Sequence, residues 1–204
     1  MYALVKNNLV TKLFTYPKGF ELNNIQYSSD IFSKWSTAEK NAIGIYEVVT
    51  DSTNKKDEKW YINTNETIAF ADNQVTRSWG TATPKKPEDE NAIDEDGNNI
   101  LDEDGNQIIN YGLKTQLIRT IKQQASGLLA PTDWYVVKAS EVSDYSVPTN
   151  IATYRASVRT KSNEMETAIT NAVDTPALET LYTYTEQEDG TVTRPLGELP
   201  TLEI

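Results

Sequence analysis

Residues 88–104 hold nine carboxylates and no base: Glu88, Asp89, Glu90, Asp94, Glu95, Asp96, Asp102, Glu103 and Asp104. Carboxylates at this density can do two kinds of chemistry. One is cation binding. A calcium loop of the EF-hand type takes oxygen ligands at positions 1, 3 and 5, glycine at 6 and glutamate at 12. Counted from Asp94, the chain offers Asp94, Asp96 and Asn98, but Gly97 falls at position 4. That spacing departs from the motif, and a solvated acidic turn is the simpler reading. The other is glycan hydrolysis, which needs two acids roughly 5–10 Å apart in a cleft. A turn-rich segment is a poor place to desolvate one acid and raise its pKa.

Two absences narrow the remaining chemistry. With no cysteine and no histidine, the chain has no disulfide, thiolate nucleophile, ordinary zinc site, Ser-His-Asp triad or histidine base. Carboxylate, lysine, tyrosine and N-terminal amine chemistry are left. The sequence nominates no catalytic residue, no cofactor and no metal ligand set. A non-enzymatic role is the first reading. Calcium-dependent binding is the alternative, with carboxylate-based glycan hydrolysis behind it.

The net charge of −11 argues against nucleic acid as a partner. Without the nine clustered acids, 21 acids face 19 bases, so the rest of the chain is nearly neutral. No apolar run approaches the ~20 residues of a membrane span, and MYALVKNNLVTKLF is too polar for a signal peptide.

The elements around this segment define an α+β chain. Residues 1–80 read as a small antiparallel β domain with one short helix. Tyr2–Lys6 and Leu9–Tyr16 flank Asn7-Asn8, a hairpin turn pair. Ser36-Thr37-Ala38-Glu39 has capping-box spacing, and Gly44 sits where the helix would end in a left-handed residue. Strands are expected at Ile45–Thr50, Lys59–Asn63, Ile68–Phe70 and Val75–Trp79, with Trp35, Trp60 and Trp79 supplying core area.

Residues 81–110 read as an acidic linker. It contains two copies of one eight-residue unit, Ile93–Ile100 and Leu101–Ile108, each built on a DEDGN turn. Residues 111–185 read as a helical domain. Leu113, Leu117, Ile121, Ala125 and Leu128 make one helical stripe, ended by Pro131. Thr132–Val137 reads as a turn passing into an extended piece, and Ser140–Ser146 as a polar loop. Pro148 opens a second helix with Ile151, Tyr154, Val158, Met165 and Ile169 on one side. Thr175-Pro176 caps a third. Residues 186–204 read as an extended tail. Its Leu196, Leu199, Leu202 and Ile204 are placed to add to a neighbour, so that deleting 195–204 would weaken a complex and spare the monomer.

Two stretches carry a resemblance. Ile25–Tyr27, Ser36–Glu39 and Ile43–Val48 are similar to the N-terminal part of a group of bacteriophage tail proteins, with Ser28 where a proline usually follows the tyrosine. Leu128, Leu129, Thr132, Asp133, Trp134, Pro148, Tyr154, Arg155 and Arg159 resemble the C-terminal module of phage tail and tail-fibre assembly chaperones, over residues 128–159. The resemblance implies a protein-interaction module in tail or tail-fibre assembly or attachment. Its partners would be tail, baseplate or tail-fibre proteins, with neither nucleic acid nor membrane. It would lie in the virion tail, or in the host cytoplasm during assembly. The candidate residues are Asp133, Trp134, Tyr154, Arg155 and Arg159. Read as side chains, they hold a helix hairpin together. Trp134 plugs the corner, Asp133 caps a turn or pairs with Arg155, and Trp134→Ala would loosen the helical region first.

Overall fold

The computed structural model describes residues 1–202. Sheets and helices are both present, as an α+β class requires. The chain divides into two units, Met1–Thr83 and Pro84–Ile204. Among the described residues no helix is long and apolar enough to cross a membrane.

The first unit contains strands β1 (Tyr2–Lys6), β2 (Leu9–Phe14), β3 (Phe20–Leu22) and β4 (Ile25–Tyr27), then short helices α1 (Ile31–Lys34) and α2 (Thr37–Ala42). Strands β5 (Ile45–Thr50), β6 (Tyr61–Ile62), β7 (Thr67–Ala71) and β8 (Gln74–Ser78) follow, and β9 (Thr83–Pro84) falls at the boundary. Three hairpins turn on two-residue loops, Asn7-Asn8, Asn23-Asn24 and Asp72-Asn73, and all six residues have positive φ. Asparagine and aspartate tolerate that region, and turns of this hand match the twist of the flanking strands.

The main sheet runs β2-β1-β5-β8-β7 and curls so that β2 approaches β7. It is mixed, not purely antiparallel as expected, because β5 pairs with β8 in parallel through Val48↔Val75. The two partners are separated by residues 51–73, long enough for a crossover where a hairpin turn is not. Alternation along β1 sends Ala3 to one face with Val48 and Val75, and Leu4 to the other with Phe14, Phe20, Phe32 and Ile45. The capping box forms as expected: Ser36 Oγ accepts from the Glu39 amide, and Glu39 accepts from the Ser36 amide at 2.8 Å. Trp60 and Trp79 are buried, and Trp35 packs edge-on against Tyr27. The expected strand at Lys59–Asn63 shrinks to β6, with Asp57–Trp60 forming a turn.

Gly44 follows α2 at φ +82°, its carbonyl accepting from the Val5 amide at 2.8 Å. A Cβ there would lie 2.7 Å from the Val5 carbonyl oxygen. Gly44→Ala is expected to cost about 2 kcal/mol or more, from left-handed strain and this overlap. Urea unfolding of the variant checks it.

The second unit contains β10 (Glu90–Asn91) and β11 (Ile109–Asn110), then α3 (Leu113–Leu129), a 3-10 turn (Ala130–Thr132) and α4 (Asp133–Glu141). It continues with α5 (Thr149–Asn171), α6 (Thr175–Tyr182), β12 (Thr185–Glu186) and β13 (Val192–Thr193). Helices α3 and α5 pack antiparallel: Lys114 reaches the Thr170 carbonyl, while Tyr154 reaches that of Leu128. The expected stripes are the core, with Leu113, Leu117, Ile121 and Ala125 facing Ile151, Tyr154, Val158, Met165 and Ile169. Proline 148 stands just before the first residue of α5, and the cap of α6 is Asp174, not Thr175. The Thr175 hydroxyl instead donates to the Lys85 carbonyl.

The acidic segment belongs to this unit. Helix α3 begins at Gly112 without a side-chain cap of its own, which leaves amide donors to satisfy. The segment supplies the acceptors. Asp89 accepts from the Gly112 amide at 2.7 Å and from the Thr115 hydroxyl at 3.0 Å, while the Lys86 and Pro87 carbonyls accept from Leu113 and Lys114. What reads in sequence as a linker from 81 to 110 is a cap for α3 followed by two folded turns.

The tail is docked as well. Its start lies in the β12–β13 hairpin. Beyond it Leu196 is 2% exposed and donates its amide to the Leu181 carbonyl. Leu199 and Leu202 pack against Ala125, Tyr154 and Val158. The extended arm expected from the sequence is therefore folded onto its own helices, because an amphipathic helix pair leaves apolar surface that nearby leucines can cover. Ile204 lies outside the described residues.

Candidate functional site

The five candidate residues meet at the corner where α3 gives way to α4. The sequence places a stop at Pro131 and an extended piece after it. The chain instead stays helical. Ala130 keeps φ −52° and ψ −44°, and Pro131 enters the first turn of the 3-10 segment. A proline needs no donor in a first turn, so it redirects the chain without unwinding it. Helix α4 then covers Asp133–Glu141, including most of what reads as a turn, an extended piece and the start of a polar loop.

The redirection is held from α5. The last carbonyls of a helix lack partners within it and carry partial negative charge. Arg155 supplies a cation there. Its Nη1 donates to the Leu129 carbonyl at 3.0 Å and to the Thr132 hydroxyl at 2.5 Å, and its Nη2 meets Asp133 Oδ1 at 2.8 Å. Thr132 is buried and donates its hydroxyl to Leu129 at 2.7 Å. The hydroxyl of Tyr154, one residue before Arg155, donates to the Leu128 carbonyl at 3.3 Å. The pairing expected of Asp133 with Arg155 is present. Thr132, whose buried hydroxyl links Arg155 to the Leu129 carbonyl, is not among the five candidates. Its spacing of three from Leu129 is the signal for such a back-bond.

Trp134 does not fill the corner. It is 52% exposed, its ring lies 3.9 Å from that of Tyr135, and the Lys138 ammonium hovers at 5.7 Å. Helix α4 has no buried residue at all. Arg155 and Tyr154 already fill the junction, so the tryptophan is turned outward, and Val136, Val137 and Val142 are exposed as well. Arg159 lies one turn beyond Arg155, touching its carbonyl at 3.4 Å. It lines a groove of about 400 Å³ with Lys122, Ser126, Asp133, Ser162 and Asn163. The arrangement is a rigid joint with an apolar helix on its outer side. Its ionised pair, Arg155 and Asp133, is engaged within the joint itself, with Leu129 and Thr132 as the further acceptors of Arg155.

The acidic units were the other candidates. In each DEDGN turn the first aspartate closes on its own backbone: Asp94 Oδ1 accepts from the amides of Asp96 and Asn98, and Asp102 Oδ1 from those of Asp104 and Asn106. These oxygens are spent on the turn. Among the described residues no group of three or more acids converges as a metal cage would require. Grooves along the helices carry one carboxylate each, Glu164, Asp133, Glu198 or Glu166.

Hydrogen bonds from Asn98 and Asn106 hold the Asp94 and Asp102 carboxyls below the usual carboxylate range. A folded value below the unfolded one means support that is full above the unfolded pKa, near 4, and lost as pH falls through the depressed values. The amides of Asn98 and Asn106 are expected to lose hydrogen-exchange protection as pH falls below about 4, with α3 still protected. Amide exchange resolved by residue checks this.

No family model, curated protein or solved structure matches this chain.

Proposed function

We propose that the chain is a non-enzymatic bacteriophage tail protein. Its helical unit acts as a protein-interaction module in tail or tail-fibre assembly or attachment. Its partners are tail, baseplate or tail-fibre proteins. One observation carries the reading. Most of the residues that resemble the tail-assembly module, Leu128, Leu129, Thr132, Asp133, Tyr154 and Arg155, meet at one corner, where Arg155, Thr132 and Asp133 lock the chain and Trp134 is left outward on a helix with no buried residue. A helix that buries none of its residues and presents a tryptophan and two valines is arranged for contact. Tryptophan is also the residue most often found at the energetic centre of interfaces.

Trp134→Ala is expected to leave the unfolding free energy within about 0.5 kcal/mol of the parent, as a surface substitution does. It is expected to weaken capture of tail components from phage-infected lysate by about tenfold or more. A variant that loses stability in parallel with capture would return Trp134 to a purely structural role. Mass spectrometry of purified particles beside infected lysate tests the wider proposal. A stoichiometric signal in particles marks a tail component, and a signal in lysate alone marks an assembly factor. Co-purification with no tail component in either fraction overturns it.

A further inference from the structure

A second surface, independent of the helical corner, lies in the repeat. Three backbone segments eight residues apart bond to one another in a closed circuit. The Ala92 amide donates to the Ile108 carbonyl at 2.8 Å, Ile108 to Ile100 at 2.9 Å, and Ile100 back to Ala92 at 2.9 Å. The two DEDGN turns leave this ring as leaves, closed by the bridges Ile93↔Asn99 and Leu101↔Gln107. In each the glycine, Gly97 or Gly105, takes φ near +84°. The carboxylates of Asp94 and Asp102 fix the turns from inside. The module is thus preorganised and shows the same side chains twice.

What it shows is unusual for a free surface. Ile93, Leu101, Ile108 and Ile100 are 58, 55, 40 and 39% exposed, while only Ala92 of the ring is buried. This chain leaves four branched apolar side chains within sixteen residues only partly covered. Between them in the same two turns Glu95, Asp96, Glu103 and Asp104 are all exposed. Glu88 and Glu90, at the base, are neutralised by Lys114 and Lys86. The leaves have no cation of their own in residues 88–104. Exposed apolar side chains interleaved with one sign of charge select a partner. Polyanions and anionic lipid surfaces are repelled, and so is a second acidic leaf. A segment with apolar side chains set among lysines or arginines matches both features.

We propose that the paired DEDGN leaves are a docking site for a cationic protein segment that carries apolar side chains, bound through Ile93, Ile100, Leu101 and Ile108 and steered by the carboxylates around them.

The test uses the full chain and two synthetic probes of equal length and charge, one alternating lysine with leucine, the other lysine with serine. Calorimetry at rising salt measures both. The lysine–leucine probe is expected to bind about tenfold or more tighter than the lysine–serine probe. The variant I93S/L101S is expected to abolish that preference while keeping all its charges. I93A/L101A, which adds no polar group, is expected to reduce it. The variant E95Q/D96N/E103Q/D104N is expected to weaken both probes and flatten the salt dependence. Retained exchange protection at Ala92, Ile100 and Ile108 shows that the ring survives each change. Equal binding of the two probes with an intact ring overturns the proposal, because charge alone then accounts for it. So does a concentration-dependent dimer of the parent chain that I93S/L101S dissociates, because a second copy is then the occupant.

Discussion

Arg155→Ala is expected to destabilise the helical unit by about 2–4 kcal/mol, among the largest effects of any single polar substitution in the chain. The guanidinium is nine-tenths buried and serves three acceptors, Leu129 O, Thr132 Oγ1 and Asp133 Oδ1. Removing it leaves a buried hydroxyl and a helix-terminal carbonyl short of a donor, and takes a cation from the negative end of α3. Arg155→Lys is expected to recover little, since one ammonium cannot reproduce a planar fork. Asp133→Ala is expected to cost less than about 1 kcal/mol, because the carboxylate is 59% exposed and water replaces its pairing cheaply. Urea titrations of the three variants separate the contributions. A loss for Asp133→Ala as large as for Arg155→Ala would show that the ion pair, and not the carbonyl and hydroxyl contacts, holds the corner.

Leu196→Ala is expected to cost about 2–4 kcal/mol. Its side chain is among the most deeply buried in the second unit, and its amide bonds to Leu181 at the end of α6. Deleting residues 195–204 is expected to unfold or expand the helical unit, the reverse of what an extended arm that adds to a neighbour would give. Circular dichroism and thermal unfolding of the truncated chain check this. A truncated protein that melts like the parent would return residues 195–204 to the role of an unattached arm.

Much of the fold was legible in local chemistry. The Asn7-Asn8 and Asp72-Asn73 turns, the Ser36–Glu39 box, Gly44 and the two helical stripes all depend on residues close in sequence, and all form. The same signal was present at Asn23-Asn24 and was passed over. It lies between two three-residue strands, too short to show alternation. The parallel pairing of β5 with β8 left no mark, since turn residues describe hairpins and say nothing about strands that meet after a crossover. Helix α4 was misread for a definite reason. Pro131, two valines and two aromatics favour a stop and a strand by propensity, and Arg155, 23 residues beyond Thr132, overrides them. The pairing of Asp133 with Arg155 was one of two readings that opposite charge left open, the other being a turn cap. Trp134 could not be placed, because size argues for burial and only the three-dimensional corner shows the space to be taken.

The ring of Ala92, Ile100 and Ile108 also bears on how the repeat can change with time. A stacked solenoid has free bonds at both ends, so a gained or lost unit shifts its length and little else. Here the donors and acceptors of three rungs are consumed in a cycle, and β10 and β11 close the third side. A third DEDGN unit would demand a four-membered circuit, and a single unit would leave two rungs that cannot close the same way. Tandem repeats in coding sequence drift readily in number. In this chain the count of two is set by the valence of a ring, and a relative with one or three copies would have to build a different hub.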